Sequence, residues 1–372
     1  MKVYFIENEN PYRTSSGGIM SYLMNLSKFL RTKNVETVLC GVGKENNGSN
    51  QVFTEFKQIL PESDPSNYKY IFALFSKLKE LSVTDETIIH AQRPDMLIPA
   101  IFFFRKTKLV CSLHGAHDLA VYDKKGFIQG IIYQLLQSIA FRFADLLIAV
   151  DKNTKDYYVR KYPSIKNKIK LIPIAVDTDK FFPMDSEMIR KKYHFSKKDK
   201  IIIFVGRIEK EKNVKFIIDS FVHVQKKIGN VKLLLVGSGR QEEEYKAYVS
   251  QKGIKDVFFK GEVANEIIPE LLNCADVFAF SSLYEGSPTV IKEALACNIP
   301  IVSVNVGDVK SMINDLDGCF LAERDITDFS SKLINILNNR GKFAGRKRAL
   351  EFNSDSIGQM TLNLYKKLQG QN

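Results

Sequence analysis

Two carboxylates, Glu285 and Glu293, stand eight positions apart in the run E-G-S-P-T-V-I-K-E at residues 285–293. Between them, Ser287 is a favourable helix cap, and Pro288 suits a first helical position, where its missing N–H costs nothing. The pattern predicts a helix from Pro288 through Ala296 that stops near Asn298, because Pro300 cannot continue it. Glu285 then precedes the helix and Glu293 lies about one and a half turns inside it, with the free N–H groups of the first turn pointing outward between them. That arrangement suits an anion at the helix tip with hydroxyl groups on either side, which is the form of a nucleotide sugar: a diphosphate between a ribose and a hexose. A solvated helix carrying two surface glutamates is the other reading of the same stretch.

Elements able to position such a helix run along the whole chain. Its 372 residues are about right for two domains of ordinary size, and a 45% hydrophobic content supports substantial cores. In the first half, Lys2–Ile6, Thr87–Ile89, Lys108–Leu113, Leu146–Val150 and Ile169–Pro173 are short β-rich runs, several of them separated by helix-length segments. After Leu30, which closes a first helical pattern behind Gly17-Gly18, this alternation reads as a parallel sheet covered on both faces. The pattern restarts with Ile201–Val205, Val231–Val236, Val257–Phe259, Val277–Phe280 and Ile299–Val304. Two β/α series imply two doubly wound domains, and ligands of such sheets bind at the carboxyl ends of the strands, so a cleft between the domains is the expected site.

Composition narrows the partners. No stretch reaches the ~18 uninterrupted apolar residues of a spanning helix, and M-K-V-Y-F-I-E-N-E-N meets acidic and amide residues too soon for a signal peptide, so a soluble, cytoplasmic protein is expected. Cys40, Cys111, Cys274, Cys297 and Cys319 are scattered and form no C-x-x-C pair, which fits buried free thiols. The net charge of +12 divides into +8 over residues 1–176 and +4 over the remainder. An anionic partner follows; without zinc-finger spacing, an RNP-like motif or a long basic helix, nucleic acid is not expected, and an anionic membrane surface or lipid phosphate fits better.

Several motifs, in the same order, resemble one family. V-G-R-I-E-K-E-K-N at 205–213, V-G-S-G at 236–239 and E-G-S-P-T-V-I-K-E at 285–293 are similar to the donor half of the retaining GT-B glycosyltransferases, family four (group 1). S-S-G-G-I at 15–19, S-L-H-G at 112–115 and V-D-T-D-K-F-F-P at 176–183 are similar to that family's first half and connector. The resemblance implies a GT-B fold with two Rossmann-like domains: residues 1–173 for the acceptor, 174–352 for the nucleotide-sugar donor, and a helix over 353–372 crossing back to the first. Ile357, Met360, Leu364 and Leu368 give that helix its apolar stripe.

Site roles follow from the same resemblance. Arg207 and Lys212 match the donor-diphosphate cations, where a fork and a point charge would stabilise a leaving diphosphate. Glu293 matches the carboxylate that binds the ribose and Glu285 the one near the transferred sugar. Gly286, Ser287, Pro288 and Thr289 line the phosphates, His114 lies near the donor hexose and acceptor, and Gly17 and Gly18 form a glycine loop near the donor phosphate. The connector has Ile174-Ala175 where the family carries Asn-Gly, which leaves any donor contact there unassigned.

Two motifs invite other chemistry. Asp177-Thr178-Asp179 has the D-x-D form of a metal site in a different glycosyltransferase fold, yet it falls in the connector, where this family binds no metal. Val236–Gly239 begins like a dinucleotide fingerprint but has Glu242 in place of the third glycine. His114, His117 and Asp118 lack a further strong ligand motif. A metal-independent enzyme with no cofactor is therefore expected; the resemblance implies that it retains the donor's anomeric configuration, with a UDP-sugar as the favoured donor of a hexose or N-acetylhexosamine. A glycan or lipid-linked acceptor on the first domain is implied; there Ile101–Lys106 and Lys124–Phe143 mix aromatic, aliphatic and basic residues, which suits either a surface resting on anionic lipid at the inner face of the cell membrane or core helices with charged ends. A nucleotide-sugar 2-epimerase of related fold and a noncatalytic nucleotide-sugar-binding subunit are the alternatives.

Overall fold

Apolar runs rich in Ile, Val and Leu can be buried on both faces only where helices cover both sides of a sheet, and a computed structural model shows two such sheets. It describes all residues except 13–16, 45–51, 105, 340, 342 and 372, and leaves aside the side chains at 120 and 123–125. The chain divides into two units, Met1–Ala175 with Ser354–Asn372, and Val176–Asn353.

The first unit holds β1 (Lys2–Ile6), β2 (Glu36–Val42), β3 (Glu55–Leu60), β4 (Thr87–Ala91), β5 (Lys108–Leu113), β6 (Leu146–Ala149) and β7 (Ile169–Leu171), in the spatial order β3-β2-β1-β4-β5-β6-β7. All pairs are parallel, with Ile6 opposite Cys40 on one side and Ala91 on the other. Separate apolar clusters fill its two faces. The second unit holds β8 (Lys200–Val205), β9 (Val231–Val236), β10 (Val257–Gly261), β11 (Val277–Phe280), β12 (Ile301–Val304) and β13 (Phe320–Ala322), in the order β10-β9-β8-β11-β12-β13. In each sheet the winding reverses once, between β1 and β4 and between β8 and β11. Loops leaving those neighbouring strands diverge and open a crevice at the carboxyl edge.

The final helix, Ser354–Leu368, packs in the first unit, against the helix Gly18–Thr32. A Cβ on Gly358 would come within 2.4 Å of the Phe29 ring, so the two helices approach as closely as they do because that position has no side chain. The buried face is Ile357, Thr361, Leu362 and Tyr365, while Met360 is 42% exposed. Of the expected stripe, Ile357 is buried and Leu364 and Leu368 pack partly buried against the same core, while Met360 turns outward and Thr361, Leu362 and Tyr365 take the centre of the buried face. Tyr365 anchors the helix: its hydroxyl meets His90 Nδ1 at 2.6 Å, and His90 Nε2 meets the Ser112 hydroxyl at 2.7 Å. Burial pushes the His90 pKa down to about 3, which keeps the ring neutral, so that one nitrogen donates and the other accepts.

Ile174 and Ala175 are buried in the core of the first unit, which gives the departure from Asn-Gly a packing role. All five cysteines are free thiols, four of them buried. Among the described residues, no helix is long and apolar enough to cross a membrane.

Candidate functional site

In the second unit the loops that follow β8 and β11 meet at the sheet reversal. The first carries Gly206 to Asn213, closing in a short turn at Lys210–Lys212, with Asn213 left-handed at φ 52° before the next helix. The second carries Ser281 to Pro288 into the helix Thr289–Ala296. Hydrogen bonds tie them together: the Ser281 hydroxyl donates to the carbonyls of Lys212 (2.9 Å) and Asn213 (3.1 Å), and the Leu283 N–H to that of Glu211 (2.7 Å). Across this seam the Lys212 ammonium pairs with Glu285 Oε1, with both side chains largely buried. Arg207 instead faces solvent, its side chain 69% exposed and 3.6 Å from Glu211. A pair that open contributes little to stability, so the guanidinium is available to an anion at small cost.

The helix begins one residue later than the sequence pattern predicts. Pro288 is the cap and Thr289 the first helical residue. Ser287 does not cap; its hydroxyl accepts from the Lys292 ammonium at 2.9 Å, under the helix tip. Lys292 is fully buried, with the Phe352 ring 4.7 Å away. A buried cation beneath a helix N-terminus adds to the positive potential that the first-turn N–H groups already present. The far end stops as expected: Asn298 is left-handed at φ 58°, its N–H bonds to Leu295, and the Ile299 N–H bonds to Ala294, a Schellman closure.

Glu293 lies inside this helix. Burial pushes its carboxyl up to about 7, with Lys180 and a hydrogen bond from Thr289 acting the other way. Gly286 runs close to Gly307, where a Cβ would fall 2.2 Å from the Gly286 carbonyl at a backbone φ of +56°. Behind the loop, Arg324 donates to the carbonyls of Ser282 (2.9 Å) and Leu283 (3.2 Å). Lys292 and Arg324 carry no assignment from the sequence. Lys292 shares the inward stripe of Ile291, Leu295 and Ala296, a helical-period signal; Arg324 is remote in sequence and left none.

The glycines at 237 and 239 serve backbone packing. A Cβ on Gly237 would sit 2.1 Å from the Gly206 carbonyl oxygen, and one on Gly239 2.3 Å from that of Ile208. Asp177 folds its own turn, accepting from the N–H groups of Asp179 (3.2 Å) and Lys180 (3.0 Å). Among the described residues, no group of three or more His, Cys, Asp or Glu is placed to hold a metal ion.

The first unit carries the other residues. His114 follows β5; its Nε2 contacts Gln92 Oε1 at 3.0 Å, and the ring packs edge-on against Tyr22. Burial pushes its pKa down to about 4, so the imidazole is neutral. Asp118 is held by Lys161 and by Tyr157 (2.7 Å). Gly17 caps the helix Gly18–Thr32, and a Cβ there would meet only the movable end of the Glu9 side chain, at 2.7 Å from Oε1; a Cβ on Gly18 would meet nothing within 4 Å among the described residues. Ser15, Ser16, Arg105 and the side chains of Lys124 and Lys125 lie outside the described residues.

The helix Phe127–Phe143 departs from ordinary packing. Phe127 (72% exposed), Ile128 (70%) and Leu135 (60%) face outward together with Ile131, Ile132 and Phe143, and Arg142 is its one charged residue. Phe102, at the end of the helix Pro94–Phe103, is also exposed and touches Phe75.

Known proteins resemble this chain in sequence and in fold. A family model described as glycosyl transferases group 1 matches residues 185–351, and one described as glycosyltransferase family 4 matches residues 16–180. The chain is 30% identical, over 49% of its length, to an uncharacterized glycosyltransferase of Methanocaldococcus jannaschii, of which it spans 45%. It is 27% identical to the capsular polysaccharide biosynthesis glycosyltransferase CapM of Staphylococcus aureus over 91% of each chain. A UDP-Gal:α-D-GlcNAc-diphosphoundecaprenol α-1,3-galactosyltransferase of Escherichia coli is 24% identical over 72% of this chain and 70% of its own. Among solved structures, sucrose-phosphate synthase from Thermosynechococcus elongatus superposes with a TM-score of 0.84 at 19% identity, covering 99% of this chain and 98% of that one. Anabaena HepE in complex with UDP and glucose gives 0.79 at 17% identity, over 99% and 100%. At these identities the structural likeness concerns the fold.

Proposed function

Since the chain belongs to the group 1 glycosyltransferases, with a family 4 first half and a GT-B fold, we propose that it moves a hexose or N-acetylhexosamine from a UDP-sugar to a glycan or lipid-linked acceptor in cell-surface polysaccharide or glycolipid biosynthesis. One observation carries the donor half of this reading: at the reversal of the second sheet, a buried Lys212–Glu285 pair, an exposed Arg207 and a helix tip backed by Lys292 stand together, with Glu293 further along the same helix. Cations and N–H groups suit a diphosphate, and carboxylates suit the sugar hydroxyls beside it. UDP as the nucleotide is supported by the UDP-Gal enzyme among the relatives and the UDP complex among the neighbours.

The reaction proceeds with retention and without a metal. Arg207, Lys212 and the helix tip hold the charge that grows on the leaving diphosphate, whose oxygen takes the acceptor hydroxyl's proton on the same face as the new bond forms. Neutral His114 supplies a hydrogen bond to the sugar without adding charge. The capsular and undecaprenol-linked relatives support a lipid-linked or polysaccharide acceptor. The outward stripe of Phe127–Phe143, in a first half bearing +8, rests on an anionic bilayer at the inner face of the cell membrane.

Incubation with UDP-sugars and an undecaprenyl-diphosphate glycan tests the reading. UDP release coupled to a product with the donor's anomeric configuration, unchanged by EDTA, is expected. A donor converted without acceptor would support the epimerase, and nucleotide binding without turnover the noncatalytic subunit. Leu135→Glu should abolish cosedimentation with phosphatidylglycerol vesicles while leaving UDP affinity unchanged; wild type that stays in the supernatant at low salt removes the membrane contact, and a dimer by light scattering would assign the stripe to a second copy.

A further inference from the structure

Beside His114, polar groups that the transfer chemistry leaves unused gather at the carboxyl edge of the first sheet. β1 and β4 are neighbours in register, and the Gln92 N–H donates to the Ile6 carbonyl at 3.2 Å, so Glu7 and Gln92 leave the sheet side by side at its reversal. Glu7 is 4% exposed; its Oε1 accepts the Asn8 N–H at 2.9 Å, while Oε2 is buried with no hydrogen-bond partner among the described residues. From β5, His114 brings a buried Nδ1, and His117, at the start of the helix His117–Lys125, a buried Nε2, neither with a hydrogen-bond partner among the described residues. Arg93, near enough to Glu7 and His117 to act on both electrostatically, is itself locked on Asp95 through two hydrogen bonds of 3.1 and 2.7 Å.

Buried polar atoms without partners cost folding free energy, and three at one sheet edge mark a place where a ligand completes the bonding. The electrical character of the edge decides which ligand. Burial lowers both histidines, to about 4 for His114 and about 3 for His117, and raises Glu7 well above the usual carboxylate range, with Glu9 acting in the same direction and Arg93 against it. All three are then uncharged near neutral pH, and Asp95 cancels Arg93. Such a set offers donors and acceptors but no field to attract a phosphate or carboxylate. Hydroxyl and acetamido groups are what it can satisfy.

We propose that Glu7 and His117, beside His114, form the acceptor subsite of the first unit and select an uncharged hydroxyl-bearing sugar residue over an anionic one. This rests on the glycosyltransferase reading above and names the acceptor class for it.

The test measures binding by saturation-transfer NMR and calorimetry on the full chain, with p-nitrophenyl glucoside, galactoside and N-acetylglucosaminide as neutral probes, p-nitrophenyl glucuronide as the anionic one, and UDP in parallel. The neutral glycosides should bind at least about tenfold more tightly than the glucuronide, and Glu7→Ala and His117→Ala should each weaken them by about tenfold with UDP affinity unchanged. Glu7→Gln, an uncharged isostere that removes the risk of a collapsed pocket, should keep neutral-glycoside binding within about threefold. Glucuronide binding as tight as the neutral probes, alanine variants that leave glycoside affinity untouched, or loss of binding in Glu7→Gln would each overturn the proposal. Because UDP is titrated separately, a chain that binds UDP but shows no glycoside selectivity loses the subsite and keeps the donor reading; one that binds glycosides selectively but no nucleotide does the reverse.

Discussion

The carboxyl edges of the two sheets occupy equivalent topological positions and are built from opposite materials. In the second unit the side chains are charged and cross-paired: Lys212 with Glu285, Arg207 with Glu211, and Lys292 against Ser287 at the helix tip. In the first, burial neutralises His114, His117 and Glu7, and the charge of Arg93 is cancelled by Asp95. The same fold can therefore be tuned to an anion on one sheet and to hydroxyl groups on the other by changing what leaves the strand ends, while the strands themselves stay alike. The contrast also fixes where charge deletions should hurt.

The largest effect is expected at Lys212. Lys212→Met removes a cation from the donor phosphates and leaves the largely buried Glu285 without its partner, so kcat/KM should fall on the order of 10³-fold, read in a UDP-release assay. A fall of less than about tenfold would mean that the pair is structural and would erase the contrast between the two edges.

Glu293 gives the next effect, as a pH dependence. Its folded pKa, about 7, lies above the ordinary glutamate value, so the protonated form favours the folded state. That stability is full at acidic pH near the unfolded value and is lost as pH rises through 7. Glu293 should account for a loss of up to about 3 kcal/mol between roughly pH 4.5 and pH 8, and Glu293→Gln should remove that part of the slope, leaving the part of the same sign that Glu7, also raised by burial, contributes. Thermal melts across this range check it. The histidines of the first unit, with lowered pKa values, give the opposite slope at lower pH: stability falls as pH drops below their ordinary value toward 3 to 4.

Arg324 sharpens the comparison at the smallest scale. Arg324→Ala removes the clamp on the carbonyls of residues 281–283, and the nucleotide KM should rise about three- to tenfold with kcat nearly unchanged, since the loop loses position but no chemistry. Steady-state kinetics separate the two constants.

Legibility in the sequence followed the range of each interaction. Residues 285–293 declare themselves because cap, helix and both acids are neighbours in sequence, and central parallel strands such as Ile201–Val205 are continuous apolar runs. β3 and β13 were not anticipated: both are sheet edges, with Glu55, Lys57 and Gln58 breaking the first run and the second only three residues long. β2 escaped because Thr37 and Gly41 dilute an otherwise buried run. Pro288 shifted from the first helical position to the cap because Ser287, the expected cap, is drawn to Lys292. Gln92 on His114, Arg324 behind the loop and Tyr365 on His90 are contacts across long stretches of chain, which no local pattern encodes.

The central claim, that the carboxyl edge of the second sheet holds a nucleotide diphosphate, is tested most directly by calorimetric titration of UDP into wild type, Lys212→Met and Glu293→Ala without added metal. Saturable binding in wild type, weakened about tenfold or more in each variant, is the expected result. Equal affinity in all three proteins, or no UDP binding in wild type, would contradict it.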